Sequence, residues 1–304
     1  GMLAKINQGI TTEIAGQCGG SMFPVTDEHI DLEKGLLAIG TLTFPDEMSE
    51  WKTAKEYFEY ARKTPKIGNM KILIGHSTLR AAVMGYADRK PTAEEMAEMK
   101  RQVKIAMECG AAGLSSGLIY APGCYADIDE LAELASVVKE YGGFYATHMR
   151  SESVGVVDAV KEAIEIGRRA GVPVWISHHK VAGRPYWGAA KETTRLIDEA
   201  NASGMKVTAD QYPYEANMTD LNICIPRKCF VKNGVDGMVE ALKNPETRAK
   251  IREEMQDVNC GYDNFYLNAG GFDNIFIAGC PEVKEADGKF LSEYAKEGGK
   301  DPFH

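Results

Sequence analysis

Two rhythms of apolar and polar positions alternate along the chain. Short continuous apolar runs suit strands buried on both faces, and between them apolar residues recur three and four apart, as on one face of a helix. The run GITTEIAGQCG is β-branched and ends in glycines, and behind it Glu47 to Lys63 spaces Trp51, Ala54, Tyr57, Phe58 and Ala61 as a helical face. MKILIGH predicts a second strand. Thr92, with Glu95 three residues on, predicts the N-cap of a helix carrying Met96, Met99, Val103 and Met107. AAGLSSGLIY, GFYATHM, VPVWISHH and MKVTADQYPY predict four further strands. The helices between them run from Asp129 to Tyr141, Val156 to Ala170 and about Ala189 to Ala202, each with glycine at or near its end. After Tyr214 the alternation stops. Helices near Val235 to Leu242, Pro245 to Met255 and Phe290 to Lys296 are predicted there, with a strand over Asn274 to Ala278.

Strand and helix in regular alternation indicate an α/β protein with a parallel sheet covered by helices. Six such strands in about 215 residues fit either an open doubly wound sheet or a (β/α)8 barrel, and no dinucleotide fingerprint follows the first strand. Residues 1–304 read as one domain, with regular βα units over 1–214 and a helical tail and insertion segment over 215–304. Composition narrows the function. The 304 residues carry 35 basic and 44 acidic side chains, a net charge of −9, which leaves no general electrostatic footprint for nucleic acid or an anionic membrane. Nothing approaches the roughly 20 apolar residues of a membrane-spanning helix, so a small-molecule substrate is expected. Seven cysteines without a CxxC pair suggest a reduced, cytoplasmic chain, and Gly1-Met2 suggests a cleavage scar before an initiator methionine.

Active sites of both architectures lie at the C-terminal ends of the strands, so the residues that close each run carry the chemistry. Cys18, His148 and His178 close three of them, and zinc favours such sulfur and nitrogen donors. His148 and His178, one βα unit apart, fall on neighbouring strands, whereas Cys18 meets them only across a barrel. Without a metal, the same three residues read as a small buried hydrophobe and two hydrogen-bonded strand-end histidines. His76 also closes a run and reads chiefly as a structural histidine bonding the turn HSTLR that follows it.

In order, GITTEIAGQCGGS, ILIGHSTLRAAVMG, GAAGLSSGLIYAPG, GGFYATHMRSE, GVPVWISHHK and DQYPYEAN resemble the N-acyl-D-amino-acid deacylases, or D-aminoacylases, of the amidohydrolase superfamily. The resemblance covers most of the chain to Tyr214 and continues weakly through NIFIAGC and GKDPF. It implies a (β/α)8 barrel and zinc-dependent hydrolysis of an N-acyl-D-amino acid to a carboxylate and a D-amino acid. It also implies that Cys18, His148 and His178 hold the zinc, that Tyr120 donates toward the scissile carbonyl oxygen, that Lys180 binds the substrate carboxylate and that Tyr212 lines the pocket. Arg150 could hold an acidic substrate group, but pairing with Glu152 is the expectation.

Two family features are not found. No HxH pair, which the family carries on its first barrel strand, occurs in the sequence, and no residue matches the general-base Asp of its eighth strand. Asp210 is the nearest acid, but its neighbours match the family's seventh strand rather than that segment. The expectation is therefore an incomplete barrel of strands two to seven, with self-association through its open edges or cover from the tail. Metal binding without turnover, or a related amidohydrolase such as a dihydroorotase-like or dipeptidase enzyme acting on another C–N bond, remain as alternatives.

Overall fold

The computed structural model describes residues 2–30, 50–226, 229, 234–260 and 262–304. Six parallel strands form one curled sheet in sequence order: β1 (Thr12–Ala15), β2 (Asn69–Gly75), β3 (Gly113–Gly117), β4 (Phe144–His148), β5 (Val174–Ile176) and β6 (Val207–Ala209). Each strand pairs with the next in parallel register, as where Ser115 faces Ala146 and Thr147 faces Ile176. Ladders of this kind with helical crossovers are what part of a TIM-type barrel requires. Among the described residues, β1 and β6 share no ladder and stand at the two edges.

A short helix, α1 (Met2–Ile6), precedes β1, and ten more helices follow among the described residues, most of them where the apolar spacing marks one. Ala54–Lys63 (α2) starts at Thr53, whose side chain and Glu56 form a reciprocal capping box, so Trp51 is a buried residue ahead of the helix instead of part of its face. The predicted start at Glu47 lies outside the described residues. HSTLR is not a turn but the first turns of α3 (His76–Met84), with Gly75 as its cap. Next come α4 (Ala93–Cys109), α5 (Ile128–Lys139), α6 (Val156–Ala170) and α7 (Ala190–Ala202). In α4, Thr92 and Glu95 make the expected capping box, and Gly110 closes the helix at φ 110°. The main core forms where these helices lie on the sheet, from Ile72, Ile74, Leu114, Leu131, Leu134, Val160, Ile166 and Ile176 among others.

Beyond Tyr214 the chain builds a second, smaller apolar cluster. Helices α8 (Gly234–Lys243) and α9 (Pro245–Met255) precede α10 (Phe265–Ala269) and α11 (Leu291–Glu297); the predicted strand NIFIA shortens to β7 (Phe276–Ile277), paired antiparallel with β8 (Lys289–Phe290). Cys224, Ile251 and Met255 are its buried centre, with Phe265, Tyr266, Phe272 and Phe303 packed on them.

Candidate metal centre

Strand β4 ends on His148, but the other two ligand candidates lie just past their strands: Cys18 is three residues beyond β1 and His178 two beyond β5. Both adopt left-handed backbone conformations, φ 55° at Cys18 and 39° at His178, which are uncommon for residues with a Cβ and must be held by their surroundings. The Cys18 loop is held from both flanks. Buried Ser115 accepts from the Gly19 amide at 3.2 Å and donates to the Gly16 carbonyl at 2.5 Å. The loop also presses against the end of β3, where a Cβ on Gly117 would come within 2.1 Å of the Cys18 carbonyl oxygen, so only glycine fits. At His178, a carboxylate oxygen of Asp210 accepts the backbone N–H, while its other oxygen accepts from the Trp175 indole at 2.7 Å.

These constraints bring the donor atoms of Cys18, His148 and His178 within 4.8 Å of one another. The His178 Nε2 lies 3.7 Å from the Cys18 sulfur, and the two imidazole rings are 4.5 Å apart, nearly perpendicular. A thiol and two imidazoles at this spacing fit a borderline-soft divalent ion such as zinc. The three residues are the one such group among the described residues.

Glu152, which sequence reasoning treated only as a partner for Arg150, organises the centre. It is 2% exposed, and one oxygen lies 3.0 Å from His178 Nδ1, 2.5 Å from Lys180 Nζ and 3.8 Å from His148 Nε2. Burial on its own would raise the carboxyl; the His178 hydrogen bond and the charges of His148, Lys180 and His178 overcome this and hold it at about 2. His178 thus presents one ring nitrogen to the cysteine sulfur and the other to a buried carboxylate, the arrangement that fixes tautomer and orientation in metal-ligating histidines. Arg150 does not pair with Glu152. Its guanidinium turns the other way, to Glu162 at 2.9 Å and to the carbonyls of Cys124 and Ala126 at 2.8 Å each, because those acceptors lie within reach of its planar fork.

Around this cluster stand the remaining candidates. The Tyr120 ring lies 4.9 Å from that of His148, and burial followed by the nearby Cys18 pushes its hydroxyl well above the usual phenol range, so it remains a neutral donor. Lys180 Nζ sits 5.5 Å over the Tyr212 ring, and Tyr212 stacks on Tyr214. Asp220 is half-buried, and burial raises its carboxyl. His76 is not part of the centre. It is wholly buried against Glu130 at 2.8 Å, beside Arg80, which donates to both Glu130 oxygens.

No family model matches the chain. Among characterised proteins, the D-aminoacylase of Alcaligenes xylosoxydans xylosoxydans is 40% identical over 222 residues, 72% of this chain and 44% of that protein. The N-acyl-D-aspartate deacylase of the same organism is 36% identical over 223 residues, 73% of this chain and 43% of that protein. A crystal structure of a D-aminoacylase, described as defining a novel subset of amidohydrolases, superimposes with a TM-score of 0.72 at 32% identity over 99% of this chain and 53% of that one. An N-acyl-D-glutamate deacylase from Bordetella bronchiseptica, complexed with zinc and a phosphonate mimic of the tetrahedral intermediate, gives 0.73 at 29% identity over 98% and 52%. The chain spans about half the length of the relatives it matches. No helix among the described residues is long and apolar enough to cross a membrane.

Proposed function

The chain belongs to the N-acyl-D-amino-acid deacylase family of amidohydrolases, and from that membership we propose that it carries a zinc centre for hydrolysing the amide bond of small N-acyl-D-amino acids to a carboxylate and a D-amino acid. The observation that carries the proposal is the convergence of Cys18, His148 and His178 within 4.8 Å, at or just past the ends of three separate strands. These residues would hold the ion, which supplies Lewis acidity toward an amide carbonyl and a lowered pKa for water.

The chain's own side chains supply the rest. Tyr120, a neutral phenol beside His148, donates to an oxygen as negative charge develops on it. Lys180, whose ammonium lies against Glu152, His178 Nδ1 and the His178 carbonyl, supplies the positive charge that attracts the substrate carboxylate. Tyr212, under that ammonium, forms the adjacent wall. Together they fix the substrate at both ends of the scissile bond, so that attack proceeds in geometry. Assay of N-acetyl-D- against N-acetyl-L-amino acids tests this, with release of the D-amino acid lost in Cys18→Ala. Preferential L-cleavage, or activity untouched by Cys18→Ala, overturns it.

A second reading is metal binding without turnover, since the chain spans about half the length of the relatives it matches. Zinc retained in a chain that releases no amino acid from any N-acyl substrate separates that reading from the first. Hydrolysis of a dipeptide or a cyclic amide in preference to N-acyl-D-amino acids points instead to a different amidohydrolase.

A further inference from the structure

The tail reaches into the centre through one buried side chain. Asp263 is 5% exposed, and its carboxylate takes three donors, all from one turn: Ser151 Oγ at 2.5 Å, Ser153 Oγ at 2.7 Å and the Glu152 amide at 2.6 Å. That turn begins three residues after His148 and carries Glu152, the carboxylate that meets His178 Nδ1 and Lys180. The Glu152 backbone is gripped from its other side as well, since its carbonyl accepts from the Ala182 amide at 2.7 Å, in the loop that follows His178. Ser151 Oγ in turn accepts from the Gly155 amide at 2.9 Å, which ties the turn to the start of α6. A buried carboxylate is costly unless its oxygens are satisfied, and here charge-assisted bonds satisfy both while leaving the turn one arrangement.

We propose that Asp263 is a positioning residue for the metal centre: by fixing the Ser151–Ser153 turn it aims Glu152, and through Glu152 it orients His178 and Lys180. The proposal rests on the reading of Cys18, His148 and His178 as metal ligands. It adds that the segment beyond Tyr214 contributes to the centre's chemistry, from a residue more than 100 positions away in sequence. Such outer partners of a ligand typically govern metal affinity by about 10- to 100-fold.

Cobalt(II) titration of the full chain, followed by the thiolate-to-cobalt absorption band, tests the proposal alongside thermal unfolding of the metal-free protein. Asp263→Asn keeps the shape but sets an amide N–H against the donors of the turn; Ser153→Ala removes one donor and keeps the rest if the first variant does not fold. Expected is cobalt binding weakened about tenfold or more in Asp263→Asn, and less in Ser153→Ala, with the folded fraction at the titration temperature unchanged. Native affinity in both variants, or affinity lost only in proportion to unfolding, overturns the proposal while leaving the ligand reading intact. No saturable binding by the native chain overturns the ligand reading and this inference with it.

Discussion

A left-handed backbone at two ligand candidates is the residue-scale feature that most separates this centre from an accidental cluster. Cys18 and His178 each hold a conformation that β-carbons disfavour, and each is gripped by a side chain bonded to the adjoining backbone, buried Ser115 at the first and Asp210 at the second. The three ligand candidates were legible in the sequence because each closes or follows an apolar run. Glu152 and Asp210 were not: their partners lie 28 and 32 residues away, and only the fold brings them together. Arg150 was misread for the same reason, since its partner Glu162 lies on α6, 12 residues on. Tyr120 makes the most direct residue-level prediction. Tyr120→Phe removes the donor and keeps the ring against His148, so kcat is expected to fall about 10²- to 10³-fold with little change in KM. A rise in KM at constant kcat would assign Tyr120 to ground-state binding instead.

Elements that combine an apolar stripe at helical spacing with a capping signal at one end or the other are the ones the sequence marks. Val156–Ala170 appears at the predicted bounds, closed by Gly171 at φ 69°, and Thr92 with Glu95 starts α4 as expected. The helix His76–Met84 carries no such signal, because β2 runs into it through Gly75 without a side-chain cap. Its stability comes from burial and from Arg80 and His76 sharing Glu130. Removing that carboxylate leaves a guanidinium in the core, so Glu130→Ala is expected to destabilise the protein by about 3–5 kcal/mol in urea unfolding at unchanged slope. A loss under about 1 kcal/mol would mean that the network is solvated. At α4, the Arg89 hydrogen bond, then the Thr92 amide, hold the Glu95 carboxyl at about 2, below the ordinary 4.5. A depressed carboxylate stabilises the fold above 4.5 and loses that contribution as pH falls toward 2. The pair is screened by solvent, so the contribution is under about 1 kcal/mol. Glu95→Gln should therefore lower the unfolding midpoint slightly at pH 6, with the gap to the native protein closing below pH 4.5. A gap independent of pH assigns the effect to capping geometry alone.

At the scale of the whole molecule, six parallel strands curl toward a barrel mouth where the ligand candidates meet, and the tail closes on that mouth through Asp263. The alternation of strand and helix was readable because every βα unit repeats one pattern; the tail's place was not, because its contacts come from single polar residues and a separate aromatic cluster. The tail docks on the mouth, and β1 and β6 keep their places at the edges of the sheet. Among the described residues no further strand pairs with the outer edge of β1 or β6, and such edges invite pairing with another chain, so self-association is the expected outcome. Sedimentation velocity over a hundredfold concentration range tests it. A weight-average mass that rises with concentration agrees, and a constant monomer mass contradicts it.

Metal binding by Cys18, His148 and His178 is what the proposed function depends on. Elemental analysis of the purified chain beside a Cys18→Ala, His148→Ala, His178→Ala variant tests it most directly. About one zinc per native chain and none in the variant is expected; zinc bound equally by both, or by neither after zinc is supplied, would remove Cys18, His148 and His178 as ligands.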